Sequence, residues 1–256
     1  MVFAILGYGR FGQAFADLLA RAGHEVRIHD PQAEVPAALA AASMVAAIDG
    51  ADWVVLAMPV PRMAEALAAL KPHLGAGHTV IDVGSVKLHP CALMDEQLGD
   101  AIPHVGTHPL FGPLSLARGE RPLRTVVCAS ARHPQAAERA RELFRELGCE
   151  VIDQDPATHD RHMAHTHALA FFLAKGLIEI GVDDDLSVTP PSFQGLKNML
   201  AAVRGDAGHL FAAIQQENPF AAEARAQLLG ALQRIDRQLA SADDDSLAIP
   251  ERHGDA

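Results

Sequence analysis

The chain has few positive charges. Its 21 lysines and arginines stand against 32 aspartates and glutamates, so its formal net charge is −11. Nucleic-acid binding depends on a basic surface that displaces the counterions of the phosphate backbone. The composition therefore argues against a nucleic-acid partner, and we interpret the acidity as a contribution to solubility.

Cysteine is scarce and long apolar runs are missing. Cys91, Cys128 and Cys149 form no C-x-x-C pair, so we expect reduced, buried thiols in a cytoplasmic protein. No apolar stretch approaches the roughly 20 residues that a membrane span needs. The apolar run at 2–6 follows no basic segment and stops at Gly7, so we predict a strand there, not a signal peptide.

Short apolar runs alternate with amphipathic stretches up to residue 155. The pattern predicts helices at 11–22, 61–74 and 134–147, and strands at 2–6, 25–29, 53–57, 79–83, 104–107, 125–129 and 150–153. This alternation favours an α/β fold with a doubly wound, mostly parallel sheet. Beyond it, helical periodicity over 156–240 predicts a second, all-helical domain, and the polar, acidic residues 241–256 predict a disordered tail.

A glycine motif, GYGRFG at 7–12, follows the first predicted strand and opens a helix, as a dinucleotide-binding fingerprint does. Its glycines allow a tight turn, approach of the pyrophosphate, and close helix packing. Asp30 ends the second predicted strand, where a carboxylate binds ribose hydroxyls and repels a 2′-phosphate. A glycine turn beside a surface aspartate is the alternative. We predict a Rossmann-type domain at 1–155 that binds NAD through Gly7, Tyr8, Gly9, Arg10, Phe11, Gly12, Asp30 and Pro59.

Two polar segments follow neighbouring predicted strands: DVGSVK at 82–87 and THPLFGP at 107–113. Ligands of doubly wound sheets bind outside the carboxyl ends of the strands, so we expect both segments beside the nicotinamide. His108 suits a base that accepts a hydroxyl proton near neutral pH, although a structural histidine is the alternative. Ser85 is placed to orient the substrate hydroxyl or the cofactor carboxamide. Lys87 is either a ligand for a substrate carboxylate or a surface lysine.

These segments resemble the prephenate/arogenate dehydrogenase family of tyrosine biosynthesis. The resemblance extends to HDRHMA at 159–164, LFAAIQ at 210–215 and Asn218-Pro219. It implies NAD-dependent oxidative decarboxylation of prephenate to 4-hydroxyphenylpyruvate, or of arogenate to tyrosine. It also implies that His108 accepts the hydroxyl proton, that Ser85 holds this histidine or the hydroxyl in line, and that the protein is a homodimer.

The chain departs from the family pattern at two places. Family members often carry glutamine or serine eight residues after the position of His159, and a substrate-contacting histidine twelve residues after it; here these positions hold His167 and Phe171. Many members also carry an arginine for the ring carboxylate just after an aromatic residue, where Phe193 is here followed by Gln194. The choice between prephenate and arogenate therefore stays open.

Four histidines stand close together at 159, 162, 165 and 167. On a continuous α-helix, at about 100° per residue, they point in different directions, so we predict no metal site. The same helical wheel places His167 within an apolar stripe, as a core residue or as a contact to the substrate, and we include it among the substrate-binding candidates.

Two other functions stay open. β-Hydroxyacid dehydrogenases and imine reductases share the predicted domain order, but they usually carry a catalytic lysine with asparagine four residues on, where this chain has Lys175 and Glu179. An NAD-binding sensor without turnover is the other alternative. Because the helical region has more apolar surface than one layer buries, we expect a homodimer through the face at 158–180.

Overall fold

Seven strands form one sheet in the computed structural model, which describes residues 1–182, 187–205 and 208–241. They are β1 (Val2–Leu6), β2 (Glu25–His29), β3 (Trp53–Leu56), β4 (Thr79–Asp82), β5 (His104–Pro109), β6 (Leu123–Cys128) and β7 (Cys149–Asp153). Their order is β2-β1-β3-β4-β5-β6-β7. Every neighbouring pair is parallel except β5 and β6. The predicted mostly parallel sheet is therefore confirmed.

Six helices connect these strands. They are α1 (Arg10–Arg21), α2 (Met44–Ile48), α3 (Val60–Leu70), α4 (Leu88–Leu98), α5 (Pro113–Ala117) and α6 (Pro134–Glu146). The sequence pattern predicted α1, α3 and α6 but not the other three. Two of those three have only five residues each, too few to show a helical period.

The described residues after β7 contain only helices. They are α7 (Pro156–Met163), α8 (Leu169–Glu179), α9 (Gln194–Gly205), α10 (Gly208–Ala212) and α11 (Ala221–Ser241). A π-helical turn, Ala164–Ala168, joins α7 to α8, and a second, Ala213–Glu217, follows α10. None of the helices described is long and apolar enough to cross a membrane. The tail predicted at 241–256 lies outside the described residues, apart from Ser241.

The core lies on both faces of the sheet. Successive side chains of a strand point to opposite faces, so Phe3 and Ile5 pack in one cluster while Ala4 and Leu6 pack in the other. Both faces are covered, which explains why β1 and its neighbour β3 consist almost entirely of apolar residues.

The glycine motif lies where β1 turns into α1, beside the end of β3. Gly7 has a φ of +113°, and a Cβ placed on it would lie 2.6 Å from the carbonyl oxygen of Ala57. Only glycine fits this turn without strain. Since β1 lies between β2 and β3 in the sheet, the motif faces the crevice at which doubly wound sheets bind ligands.

The three cysteines are free. Cys128 and Cys149 are buried as predicted, whereas Cys91 is only half-buried. Gly106, in β5, gives the Cys91 and Cys128 side chains the space they occupy, because a Cβ on it would collide with the Cys91 sulfur and lie 3.4 Å from the Cys128 Cβ. Cys91 of α4 and Cys128 of β6 thus pack against β5 at Gly106.

Candidate active site

The N-terminus of α1 is open to a ligand. Gly9 is the N-cap of this helix, and a Cβ placed on it would meet no atom within 4 Å. By contrast, a Cβ on Gly12 would collide with the carbonyl oxygen of Gly7, so the third glycine allows α1 to pack closely on the turn. Arg10 is exposed in the first turn of α1. Free backbone N–H groups and the helix dipole make such a terminus suited to a phosphate.

Asp30 is fixed to the glycine motif by backbone hydrogen bonds. Its Oδ2 accepts from the N–H of Tyr8 at 2.6 Å, and its Oδ1 accepts from those of Gln32 and Ala33 at 2.7 and 2.9 Å. Burial by itself raises the pKa of the Asp30 carboxyl, but these three donors outweigh it and lower the pKa below its ordinary value. A negative charge therefore stands beside the motif at neutral pH.

Phe11 and Pro59 occupy different surroundings within this crevice. The Phe11 ring stacks on Phe15, with centroids 5.7 Å apart, and packs against Phe111 at 6.1 Å. Its side chain thus belongs to the core packing. Pro59 is exposed at the N-terminus of α3, directly after β3, which places it on the rim of the crevice.

His108 lies near the carboxyl end of β5, with 4% of its surface exposed. Its strand position is set by the pairing of His108 with Val126 of β6. The Nδ1 atom of His108 lies 2.8 Å from Nε2 of His159, and the two rings are nearly perpendicular. Within the described part of the chain Nε2 of His108 has no hydrogen-bond partner. This nitrogen is therefore available to a ligand.

His159 and Asp160, both completely buried, link His108 to the start of α4. The Nδ1 atom of His159 lies 2.7 Å from Oδ1 of Asp160. The carboxylate of Asp160 also accepts the backbone N–H groups of Lys87 at 2.7 Å and of Leu88 at 2.9 Å. These N–H groups belong to the N-terminus of α4, which has no acidic residue of its own in the first turn. A residue of α7 thus caps a helix that precedes it by about 70 residues.

Lys87 is completely buried, so the surface-lysine alternative is wrong. Its ammonium donates to Oδ2 of Asp82 and, at 2.6 Å, to the carbonyl oxygen of Thr107. The two acceptors lie at the ends of β4 and β5, so this ion pair holds the strand ends together. Because the ammonium already has these partners, the structure argues against Lys87 as a ligand for a substrate carboxylate.

Ser85 lies half-buried in the turn between β4 and α4. No hydrogen bond connects it to His108 or to any other described residue. The structure therefore shows no hydrogen bond by which Ser85 would hold the histidine in line, and Nδ1 of His108 faces His159 instead. The Ser85 hydroxyl remains available to a bound molecule.

His167 reaches His108 because of the π turn that contains it. On a continuous α-helix His167 would point about 80° away from His159. The π turn Ala164–Ala168 has more residues per turn than an α-helix, so it changes the direction in which His167 points. The ring of His167 stacks on that of His108, with ring centroids 6.3 Å apart and an angle of 16° between the ring planes. Its other neighbour is Phe171, at 4.6 Å. The helical wheel therefore missed that His159 and His167 face the same histidine.

His108 and His167 are held neutral at pH 7. Burial lowers the pKa of His108 well below its ordinary value, and the electrostatic influence of His159, the Lys87 ammonium and His167 lowers it further. Burial and His159 lower the pKa of His167 to about 4. Neither imidazole carries a charge at pH 7, so the free nitrogen of His108 can accept a proton. Among the described residues no group of three or more histidine, cysteine or acidic side chains could hold a metal ion.

Besides His159, three buried residues of this site were not predicted as functional: Asp82, Asp160 and Asn218. The side-chain amide of Asn218 donates to the carbonyl oxygen of Asp160 at 2.7 Å. Their only signal was that they lie in the segments that carry the family resemblance. Each is polar and short, so the sequence alone does not distinguish it from a surface residue.

Residues 23–153 match the family model described as prephenate dehydrogenase, nucleotide-binding domain. A 4-amino-4-deoxyprephenate dehydrogenase of Streptomyces pristinaespiralis is 31% identical over 210 residues, which cover 80% of this chain and 69% of that protein. An arogenate/prephenate dehydrogenase of Methanocaldococcus jannaschii is 27% identical, over 66% of this chain but only 39% of its own length.

A solved structure shares the fold. The prephenate dehydrogenase of A. aeolicus, in complex with hydroxyphenyl propionate and NAD+, has a TM-score of 0.76 and 19% identity, and the match covers 96% of this chain and 93% of that one. At this identity the likeness concerns the fold alone.

We expect Lys87→Met to destabilise the protein by about 3–5 kcal/mol, because it leaves the Asp82 carboxylate buried without its cation. Urea unfolding measures the effect. Lys175→Met is the matched control: the Lys175 ammonium pairs with Glu179 at 2.8 Å on an exposed face, and its loss costs less than about 1 kcal/mol. Equal losses in the two variants would contradict the structural role of the buried pair.

Proposed function

The chain belongs to the prephenate dehydrogenase family, and we propose that it catalyses the NAD-dependent oxidative decarboxylation of prephenate or arogenate. The ring carbon gives up a hydride, a base takes the hydroxyl proton, and aromatisation drives the loss of carbon dioxide. The observation that carries the proposal is the buried, neutral His108, whose Nε2 is free at the edge of the sheet that bears the glycine motif.

The residues of the crevice fit NAD. The open backbone at Gly9 offers N–H groups to the diphosphate, and the ionised Asp30 suits ribose hydroxyls and disfavours a 2′-phosphate. Gly7 and Gly12 shape the turn, and Arg10 is exposed within reach of a phosphate. When bound, NAD supplies the hydride acceptor. We propose residues 1–155 as the NAD-binding domain, with 156–240 completing the substrate site.

In this proposal His108 is the general base. Its lowered pKa makes it a weak base, but it keeps the imidazole neutral at physiological pH. A weak base suffices because the hydroxyl becomes strongly acidic as the hydride leaves. Ser85, whose hydroxyl has no described partner, would orient the substrate hydroxyl, and His167 would contact the substrate beside His108.

The hydroxyl-bearing substrates suit this site better than an amine. The 31% identical relative is named for 4-amino-4-deoxyprephenate, which carries an amino group in place of the ring hydroxyl. A ring ammonium must lose a proton before oxidation, and a histidine of lowered pKa is a poor acceptor for it. The amine remains the second candidate because of that identity.

The surroundings of Lys175 argue against it as the catalytic lysine of an imine reductase. Lys175 pairs with Glu179 and about half of its side chain is exposed, away from His108. The sensor alternative is decided by turnover.

Turnover by the purified protein tests the proposal. NADH formation is measured with prephenate, arogenate and 4-amino-4-deoxyprephenate, and we expect it with one of the first two. We expect His108→Asn to lower kcat by roughly 10²–10⁴ with little change in NAD affinity, because a positioned base is lost. Activity within a few-fold of the original would make His108 structural. Tight NAD binding without turnover of any of the three would favour the sensor.

We expect Asp30→Ala to relax the preference for NAD over NADP, because the charge that repels the 2′-phosphate is removed. The measurement is the ratio of kcat/KM for the two cofactors. Asp17→Ala, which removes an exposed carboxylate of α1, is the control and should leave the ratio unchanged. An unchanged ratio in Asp30→Ala would reject the ribose role.

We also propose that the protein is a homodimer. The exposed apolar side chains of the helical region are concentrated on α11 rather than on the face at 158–180: Leu229, Leu232, Ile235 and Leu239. They lie within about 120° of the helix circumference, as a packing stripe does. Light scattering should give twice the chain mass, and a mass of 27.2 kDa would contradict the dimer.

A further inference from the structure

We infer that His159 and Asp160 are positioning residues that set the tautomer of His108 and then hold the charge of the proton it accepts. This inference rests on the proposed function, in which His108 is the base. It assigns a task to two buried side chains that do not touch the proposed substrate position.

The direction of each hydrogen bond is set from Asp160 outward. The two oxygens of this carboxyl group accept the backbone N–H groups of Lys87 and Leu88, and donors of this kind stabilise the ionised form of a carboxyl group. Asp160 is therefore an ionised acceptor, and the Nδ1 of His159, 2.7 Å away, must carry a hydrogen. In the neutral ring, Nε2 of His159 is then an acceptor.

The same argument sets the tautomer of His108. Its Nδ1 lies 2.8 Å from the accepting Nε2 of His159, so Nδ1 of His108 must be the donor. The lone pair of the neutral His108 ring is then on Nε2, the nitrogen for which the described residues offer no hydrogen-bond partner. His108 is thus held in the one tautomer that can take a proton from a ligand.

The charged groups around His108 and His159 determine which of the two rings keeps the accepted proton. A cation on His108 would be buried, would be repelled by the Lys87 ammonium and would face the ring of His167, and it has no hydrogen bond or ion pair with a carboxylate of the described residues. A cation on His159 lies against the Asp160 carboxylate. Asp82, the other buried carboxylate nearby, is already paired with Lys87.

The transfer balances in two linked steps. The substrate O–H bond breaks and its proton bonds to Nε2 of His108, while the Nδ1–H proton of His108 moves to Nε2 of His159. The hydride electrons leave with the ring hydrogen for NAD+. His108 ends neutral as the Nε2–H tautomer, and His159 ends as an imidazolium that donates to Asp160. As carbon dioxide leaves, the electron pair of its C–C bond enters the ring and the ring oxygen becomes a phenolate. The reverse transfer then returns the proton through Nε2 of His108 to this oxygen, so the product leaves as a phenol and both histidines regain their initial state.

The tautomer can be measured without any substrate. In protein labelled with 15N at its 14 histidines, NMR correlations separate protonated from bare ring nitrogens. Comparison with His108→Asn assigns the His108 signals. We expect His108 with a hydrogen on Nδ1 and a bare Nε2 at pH 7. The opposite tautomer, or two exchanging tautomers of equal population, would overturn the inference.

The kinetic test uses His159→Gln. A glutamine oxygen can accept from Nδ1 of His108 but cannot take its proton, so we expect kcat to fall by roughly 10- to 100-fold, with KM little changed. The proton must then stay on the desolvated His108, so the acid limb of the kcat/KM profile should move to lower pH. His165 is an exposed histidine of the same helical segment, so His165→Gln should change neither kcat nor the acid limb of the kcat/KM profile.

The outcomes separate this inference from the proposed function. A His159→Gln variant with unaltered kcat and acid limb would overturn the relay, even if the enzyme oxidises prephenate. Failure to oxidise any of the three substrates would contradict the proposed function while the NMR result still decides the tautomer. If His159→Gln does not fold, the spectrum of the unmodified protein remains decisive.

Discussion

The carboxylate of Asp160 is the interaction on which the site depends. It lies completely buried, and a buried charge is tolerated only when its hydrogen bonds are satisfied. Its donors come from two sources: the backbone at the start of α4 and the ring of His159. If either set of donors moved away, the buried carboxylate would lose hydrogen bonds that compensate its charge. One side chain of α7 therefore fixes the position of α4 and, through His159, the orientation of His108.

Burial also sets the chemistry of the histidines. Burial keeps His108 and His167 neutral, and the Lys87 ammonium adds to this effect at His108. The lowered pKa makes His108 a weaker base, but its lone pair is available at neutral pH. The ion pair between Lys87 and Asp82 serves the same site by joining the ends of β4 and β5. The backbone that carries His108 is thus held at its strand end by a charge pair, while its ring is held by a neighbouring ring.

Much of the fold could be predicted from local sequence patterns. All seven strands were predicted within two residues of their ends. The signal was strongest at β1 and β3, whose continuous apolar runs are typical of a parallel sheet covered on both faces. Helix α4 was missed, since its sequence LHPCALMDEQL contains a proline and mixes polar and apolar residues. That His167 and His159 face the same histidine was not anticipated, because the helical wheel assumes 3.6 residues per turn and the π turn Ala164–Ala168 breaks that period.

The sequence by itself determined the glycine turn, the order of the elements, and the presence of a histidine at the end of β5. These follow from backbone sterics and hydrophobic periodicity, which act over a few residues. Only the tertiary structure decided that Lys87 is buried, that Ser85 does not hold His108, and that His159, 51 residues further along the chain, does. The partner of a buried polar group is whatever group the folded chain places within about 3 Å of it, and no local pattern encodes that distance.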